Sequence, residues 1–273
     1  MSSIRTPRLS IIVALSGLLV AGRCEAPEAI PGEVTFVDDF DGPVGTSPDP
    51  SRWAFDVGGG GFGNDQLEHN TDRPQNAALD GEGHLVITAR RESFGGNAFT
   101  SARLTTAGIF AQAYGRFEAR IKVPQGQGIW PAFWLLGDNI EQVTWPACGE
   151  IDILELRGQE PDVVYGSVHG PGYSGGGAIN ARFALPQGQS FADDFHTFAV
   201  EWEPDRLRFF VDDNLYQTLT PATLGNRAWV FDHPFRILVN LAVGGNFVGP
   251  PDATTVFPAS LVVDFVRVTA GTP

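Results

Sequence analysis

The stretch Gly115-Arg116-Phe117-Glu118-Ala119-Arg120-Ile121-Lys122-Val123-Pro124 alternates without a break. Phe117, Ala119, Ile121 and Val123 fall on one side and Glu118, Arg120 and Lys122 on the other, the period of a strand with one buried face. Thr197–Glu203 repeats the pattern with Phe198, Val200 and Trp202. After Pro204-Asp205-Arg206 comes a second run, Leu207, Phe209 and Val211 against Arg208 and Phe210, closed by the turn signal Asp212-Asp213-Asn214. Those two runs read as a hairpin. His84–Arg91, Val163–His169, Arg236–Val243 and Leu261–Thr269 add β-rich runs bounded by Gly, Pro or Asn. Nowhere does a long helical period with caps occur. Short strands with a turn roughly every 8–12 residues predict an all-β protein of two stacked antiparallel sheets.

The chain has 273 residues, with 33 Gly and 20 Pro, a density that suits many turns. It contains no internal repeat and no linker, so one β-sandwich is expected to fill 27–273. Lys and Arg number 18 against 32 Asp and Glu, a net charge of −14, and Lys122 is the single lysine. A body this acidic repels phosphate backbones and anionic membranes, which argues against nucleic-acid partners. It also makes a neutral polymer a more natural substrate than a highly sulfated one.

The first residues follow different rules. Arg5 and Arg8 precede an apolar run from Leu9 to Ala21, too short to span a bilayer. Residues 1–26 read as a secretory signal cleaved between Ala21 and Ala26, which leaves no membrane-spanning segment in the mature chain and implies a secreted or periplasmic protein. Lipidation at Cys24 is disfavoured because Arg23 stands where a small residue is needed. Removal of three Arg and one Glu leaves a mature charge of −16. Cys148 then has no partner for a disulfide, and a domain of this size needs none. No spacing suggests zinc. The histidines, His69, His84, His169, His196 and His233, are scattered. The expected assembly is a monomer.

Chemistry concentrates in Trp145-Pro146-Ala147-Cys148-Gly149-Glu150-Ile151-Asp152-Ile153-Leu154-Glu155. In a strand Glu150 and Asp152 face one way and Ile151 and Ile153 the other. Strict alternation would bring residue 154 to the acidic face, yet Leu stands there and Glu follows one later. A β-bulge at Ile153-Leu154 restores Glu155 to the row. Three carboxylates so crowded resist joint ionisation, and at least one pKa must rise. Retaining glycoside hydrolysis uses such an arrangement: one carboxyl attacks, and another, kept protonated, serves the leaving oxygen. A middle acid shares a proton and holds the pair in the right states. A solvated acidic strand and a Ca²⁺ site are the competing readings. Trp130, Trp134 and Trp145 favour a sugar cleft, because indole faces stack on pyranose rings. Trp53, Trp202 and Trp229 read as core residues at least in part.

Glu150-Ile151-Asp152-Ile153-Leu154-Glu155 resembles the E-x-D-x-x-E signature of glycoside hydrolase family 16 in its bulged, laminarinase-like form. Other stretches resemble bacterial endo-β-1,3-glucanases of that family, in order along the chain from about Val34 to Val268. They are Gly115–Pro124, Gly128–Trp134, Trp145–Gly149, Val168–Tyr173, Phe198–Trp202 and Leu241–Asn246. The resemblance implies a concanavalin-like β-jelly roll whose concave sheet forms the groove, and hydrolysis of β-1,3-glucosidic bonds in laminarin-like, neutral β-glucan. It implies Glu150 as nucleophile, Glu155 as general acid/base and Asp152 as helper. Trp130, Trp134 and Trp145 match aromatic subsites; Asn64 and Arg103 match polar positions on the nucleophile's side; His169 matches a histidine beside the acids. Asn246 and Phe247 complete the expected substrate contacts.

Phe62, Gln66 and Phe247 depart from the family, which usually has Trp, Glu and Trp there. These changes bear on subsites rather than chemistry. No cofactor is expected for catalysis. One structural Ca²⁺ is implied at the Asp39 and Gly83 carbonyls and the Asp264 side chain, although Asp264 alternates with Val263 and Phe265 as an ordinary surface acid would. Mixed-linkage β-1,3-1,4-glucan, agar- or carrageenan-type galactans, and a non-catalytic β-glucan-binding lectin are the rival functions.

Overall fold

Strands dominate the computed structural model, which describes residues 32–271; the expected signal segment 1–26 lies outside the described residues. Two sheets face each other. The ten-stranded sheet runs Asn214–Leu219, Arg206–Val211, His196–Glu203, Gly115–Lys122, Ala259–Thr269, Leu85–Phe94, Asn97–Ser101, Glu68–Asn70, with Val34–Asp38 beside Ala259–Thr269 and Ala77–Leu79 beside Leu85–Phe94. The seven-stranded sheet runs Ile179–Ala184, Val163–His169, Glu150–Leu156, Ile129–Gly137, Phe235–Val243, Arg103–Thr105, Ala54–Phe55. This is the expected β-sandwich. Among the described residues the α-helices are the four-residue turns Ile140–Val143 and Pro221–Leu224.

The strand Gly115–Lys122 buries every second residue, as its alternation requires, with Phe117, Ala119 and Ile121 at 0% exposure. Each large apolar side chain so buried contributes about 1.5–3 kcal/mol. The charged residues of the other face pair along and across strands: Arg116 reaches Glu118 on its own strand at 2.9 Å and Glu201 on the next at 3.1 Å, and Arg208 holds Glu201 at 2.7 Å. The hairpin His196–Glu203/Arg206–Val211 forms as read. Its successor turns at Asp212 and Asp213, both at positive φ (47° and 62°). Two left-handed residues match the strand twist, and Asp tolerates that conformation better than most side chains.

One pairing departs from a purely antiparallel sandwich. Glu68–Asn70 lies parallel to Asn97–Ser101 at the sheet edge. The tight return between Phe94 and Asn97 sends the chain back along that edge in the direction Glu68–Asn70 already runs.

Ile129–Gly137 decides how the second sheet works, because all nine residues are buried. Ile129, Phe133 and Leu135 point into the main core, while Trp130, Ala132, Trp134 and Leu136 occupy the opposite face in two smaller apolar clusters. A strand apolar on both sides needs cover on both sides. Here one cover is the partner sheet and the other is the groove. Trp53 and Trp202 lie in the core, Trp229 packs at its margin, and each indole N–H finds an oxygen acceptor. Cys148 is a buried free thiol.

Candidate active site

The bulge fixes which way Glu155 points. Against Val163–His169, Asp152 pairs with Ser167 and Glu155 with Tyr165, so three steps on one strand match two on its neighbour. Against Ile129–Gly137, Asp152 pairs with Trp134 and Leu154 with Phe133. The extra residue sits at Ile153-Leu154, where the spacing of the acids required it. Ile151, Ile153, Leu154 and Leu156 are all at 0% exposure in the core. Glu150, Asp152 and Glu155 meet on the other face, along a groove of about 690 Å³.

Each outer carboxylate is held by an indole. Trp145 Nε1 donates to Glu150 Oε2 at 3.1 Å, and Trp130 Nε1 donates to Glu155 Oε1 at 3.1 Å. Ser167 Oγ donates to Glu155 Oε2 at 3.3 Å. His169 lies across the other two acids, its Nε2 3.0 Å from Asp152 Oδ2 and 3.6 Å from Glu150 Oε1. The Gly175 N–H donates to His169 Nδ1 at 3.0 Å, so the neutral ring carries its proton on Nε2, toward the carboxylates. The approach to Asp152 is off the line of a straight hydrogen bond, and Asp152 Oδ2 has no other partner.

Burial pushes all three carboxyls well above their ordinary range. For Glu150 and Glu155 the negative charge of Asp152 adds to the rise, and His169 opposes it. The group therefore retains protons near neutrality, as a general acid requires.

The remaining predicted contacts line the same groove: Asn64, Arg103, Trp134, Asn246 and Phe247, with Phe62 and Gln66, the residues read as departures, among them. Arg103 donates to Asp56 at 3.0 Å, and its guanidinium carbon lies 4.7 Å from the Trp134 ring centre and 4.8 Å from that of Phe62. Asn64 and Asn246 are stitched together by the Asn246 N–H donating to the Asn64 carbonyl at 2.8 Å. Trp145 alone among the three indoles stands open, 44% exposed on the loop before Glu150. The residues expected to hold Ca²⁺ lie outside the groove. Gly83 sits beside the Asp39 carbonyl, where an added Cβ would come within 3.8 Å, and the Asp264 carboxylate is paired with Arg120.

A model of the "Glycosyl hydrolases family 16" matches residues 64–257, a span that contains the acid row and most of the groove. The chain belongs to glycosyl hydrolase family 16. The "Beta-glucanase" of Rhodothermus marinus is 42% identical over 272 residues, covering 94% of this chain and 92% of that protein. The laminarinase catalytic domain of Thermotoga maritima superposes with a TM-score of 0.83 at 44% identity, covering 89% of this chain and 99% of that one. The endo-β-1,3-glucanase of Pyrococcus furiosus gives a TM-score of 0.84 at 42% identity, with 90% and 98% covered.

Within this family 16 groove, several residues escaped the sequence reading. Asn240 accepts the Trp134 N–H at 2.8 Å and pairs in register with both Arg103 and Ala132. Its signal was available: it is the one polar residue in Ile237-Leu238-Val239-Asn240-Leu241-Ala242-Val243, and a buried amide needs a partner. Asp56 and Ser167 had no such signal. Both act through residues distant in sequence, and only the folded sheet brings them together.

Proposed function

We propose that this family 16 chain is a retaining endo-β-1,3-glucanase that hydrolyses laminarin-like β-glucan. The observation that carries the reading is the row of three carboxyls on the floor of an indole-lined groove, where mutual repulsion favours a shared proton: Glu155 keeps it for the leaving oxygen while Glu150 reacts as the carboxylate. Glu150 attacks the anomeric carbon, forming a glycosyl ester while the bond to the glycosidic oxygen breaks. Glu155 gives its proton to that departing oxygen. Water then enters, loses a proton to Glu155 and attacks the same carbon, and the Glu150 carboxylate leaves. The Trp145 and Trp130 N–H groups hold the two carboxylates apart and aimed into the groove. Asp152 and the Nε2–H of His169 share the proton and charge that the pair exchanges. Trp134, Asn64, Arg103, Asn246 and Phe247 hold the sugar units. The protein acts after export as a monomer, and no described helix is long and apolar enough to cross a membrane.

Incubation with laminarin, lichenan, agarose and κ-carrageenan in parallel tests the substrate. Laminari-oligosaccharides from laminarin, with little release from the two galactans, are expected. Faster cleavage of lichenan would move the assignment to mixed-linkage glucan. Binding of laminarin with no product over days would make the protein a lectin.

A structural Ca²⁺ held by the Asp39 and Gly83 carbonyls and the Asp264 carboxylate belongs to the same proposal. The donors are all oxygen, as Ca²⁺ prefers, and Gly83 lies beside the Asp39 carbonyl; the ion has to compete with Arg120 for the third. It would tie the Ala259–Thr269 strand to the chain before Leu85. Excess EDTA is expected to lower the Tm by several degrees, with Ca²⁺ restoring it. An unchanged Tm would remove the ion from the description.

A further inference from the structure

One end of the groove carries cations although the body around it is acidic. Arg157 follows the acid row and lines the groove. Its guanidinium carbon lies 4.4 Å from the ring centre of Phe247 and 5.2 Å from that of Tyr165, which meets Phe247 edge-on at 5.5 Å. Tyr165 pairs in register with Glu155 on one side and with Arg182 on the other, so Arg182 stands exposed on the groove side of the edge strand Ile179–Ala184. Glu160 accepts the Tyr165 hydroxyl at 2.7 Å and comes only within 3.7 Å of Arg157.

A neutral pyranose stacks best on an open aromatic face. Here one face of Phe247 carries a cation 4.4 Å from the ring centre, and Arg157 lines the groove beside it. That cation weakens apolar stacking and supplies paired N–H donors. Such a fork suits a planar oxyanion, which it binds through two parallel charge-assisted hydrogen bonds. Three carboxyls on the groove floor would otherwise repel an acidic polymer, in a chain whose net charge is −14. Arg157, two residues along the chain from Glu155, and Arg182, two strands across, set positive charge against that repulsion.

We infer that Arg157, backed by Arg182, forms a subsite for an oxyanion on the sugar, a carboxylate or a sulfate ester, so that the enzyme cleaves β-1,3-glucan next to acid-substituted units. The inference rests on the glucanase reading and extends its substrate from neutral to acid-substituted glucan.

The test compares plain, 6-carboxylated and sulfated laminarin with wild type, Arg157→Gln and Arg157→Lys. The quantity read is the ratio of kcat/KM on substituted substrate to kcat/KM on plain laminarin. Arg157→Gln keeps much of the stem over Phe247 and removes the charge. It is expected to lower the ratio about tenfold, the worth of one hydrogen bond to a charged group. Arg157→Lys should fall between the two, keeping charge without the fork. Added NaCl should lower the wild-type ratio and leave that of Arg157→Gln nearly flat. The arm that shows the effect identifies the oxyanion. A ratio unchanged by Arg157→Gln in both arms, or no cleavage of either substituted glucan by wild type, overturns the subsite while leaving laminarin hydrolysis intact. No cleavage of plain laminarin by wild type overturns the glucanase reading itself.

Discussion

Glu150→Gln is expected to lower kcat on laminarin by on the order of 10⁵-fold, because the amide oxygen is too weak a nucleophile to form the glycosyl ester. Glu155→Gln is expected to cost about 10³–10⁴-fold on the same substrate, the usual worth of a positioned general acid. The two variants separate on a laminaribioside with a dinitrophenolate leaving group, which departs without protonation. There Glu155→Gln should retain its first step and accumulate glycosyl-enzyme, detectable as an added mass, whereas Glu150→Gln should form none. Near-normal turnover of laminarin in either variant would refute the assignment of roles. So would a covalent adduct on any residue other than Glu150. Both side chains lie at the groove with the core face of their strand occupied by Ile151, Ile153 and Leu154, so an amide in place of a carboxyl leaves the packing untouched.

The same substitutions should make the fold more stable at neutral and alkaline pH. Burial and the charge of Asp152 raise Glu150 and Glu155 from 4.5 in the open chain to about 8 in the fold. A carboxyl raised in this way binds its proton more tightly when folded. It therefore costs stability once the pH passes its unfolded value, and the full cost is reached above its folded value. The gain from Glu→Gln is thus absent near pH 4, grows between about pH 4.5 and 8, and is complete above that window. A gain of about 2 kcal/mol at pH 8 is expected: at about 1.4 kcal/mol per pH unit the full rise would give more, but the repulsion is shared among the three acids and each variant relieves only its part. That corresponds to a Tm higher by roughly 4–8 °C for a domain of this size. Gln also satisfies the neighbours: at residue 155 its oxygen accepts the Trp130 N–H and its amide group donates to Ser167. Melting curves for wild type and both variants from pH 4 to 9 decide the matter. Variants that melt at or below wild type at pH 8, or a gain that is independent of pH, would show that the row carries no electrostatic strain.

Much of the architecture could be read directly from residue order. Gly115–Lys122 buries the residues its alternation assigned to the core, because a strand has two faces and a period of two leaves no other solution. Asp212 and Asp213 turn the hairpin where turn chemistry put them. The parallel edge pair, Glu68–Asn70 with Asn97–Ser101, escaped the reading. Its segments are three and five residues long, and nothing local distinguishes a parallel from an antiparallel partner.

For the site, the order of residues by itself determined which side chains carry charge in one row, since Leu154 in place of an acid demanded one extra residue before Glu155. It also determined that indoles stand nearby. Only the tertiary structure decided what each acid feels: Trp145 and Trp130 on the outer pair, His169 oriented by the Gly175 N–H, and Asp56 and Asn240 holding Arg103 and Trp134. The cation over Phe247 belongs to that second group as well. The physical reason is range. Strand periodicity is a property of neighbours along the chain, whereas burial, hydrogen bonding and pKa depend on which distant strands the sheet brings within a few ångströms.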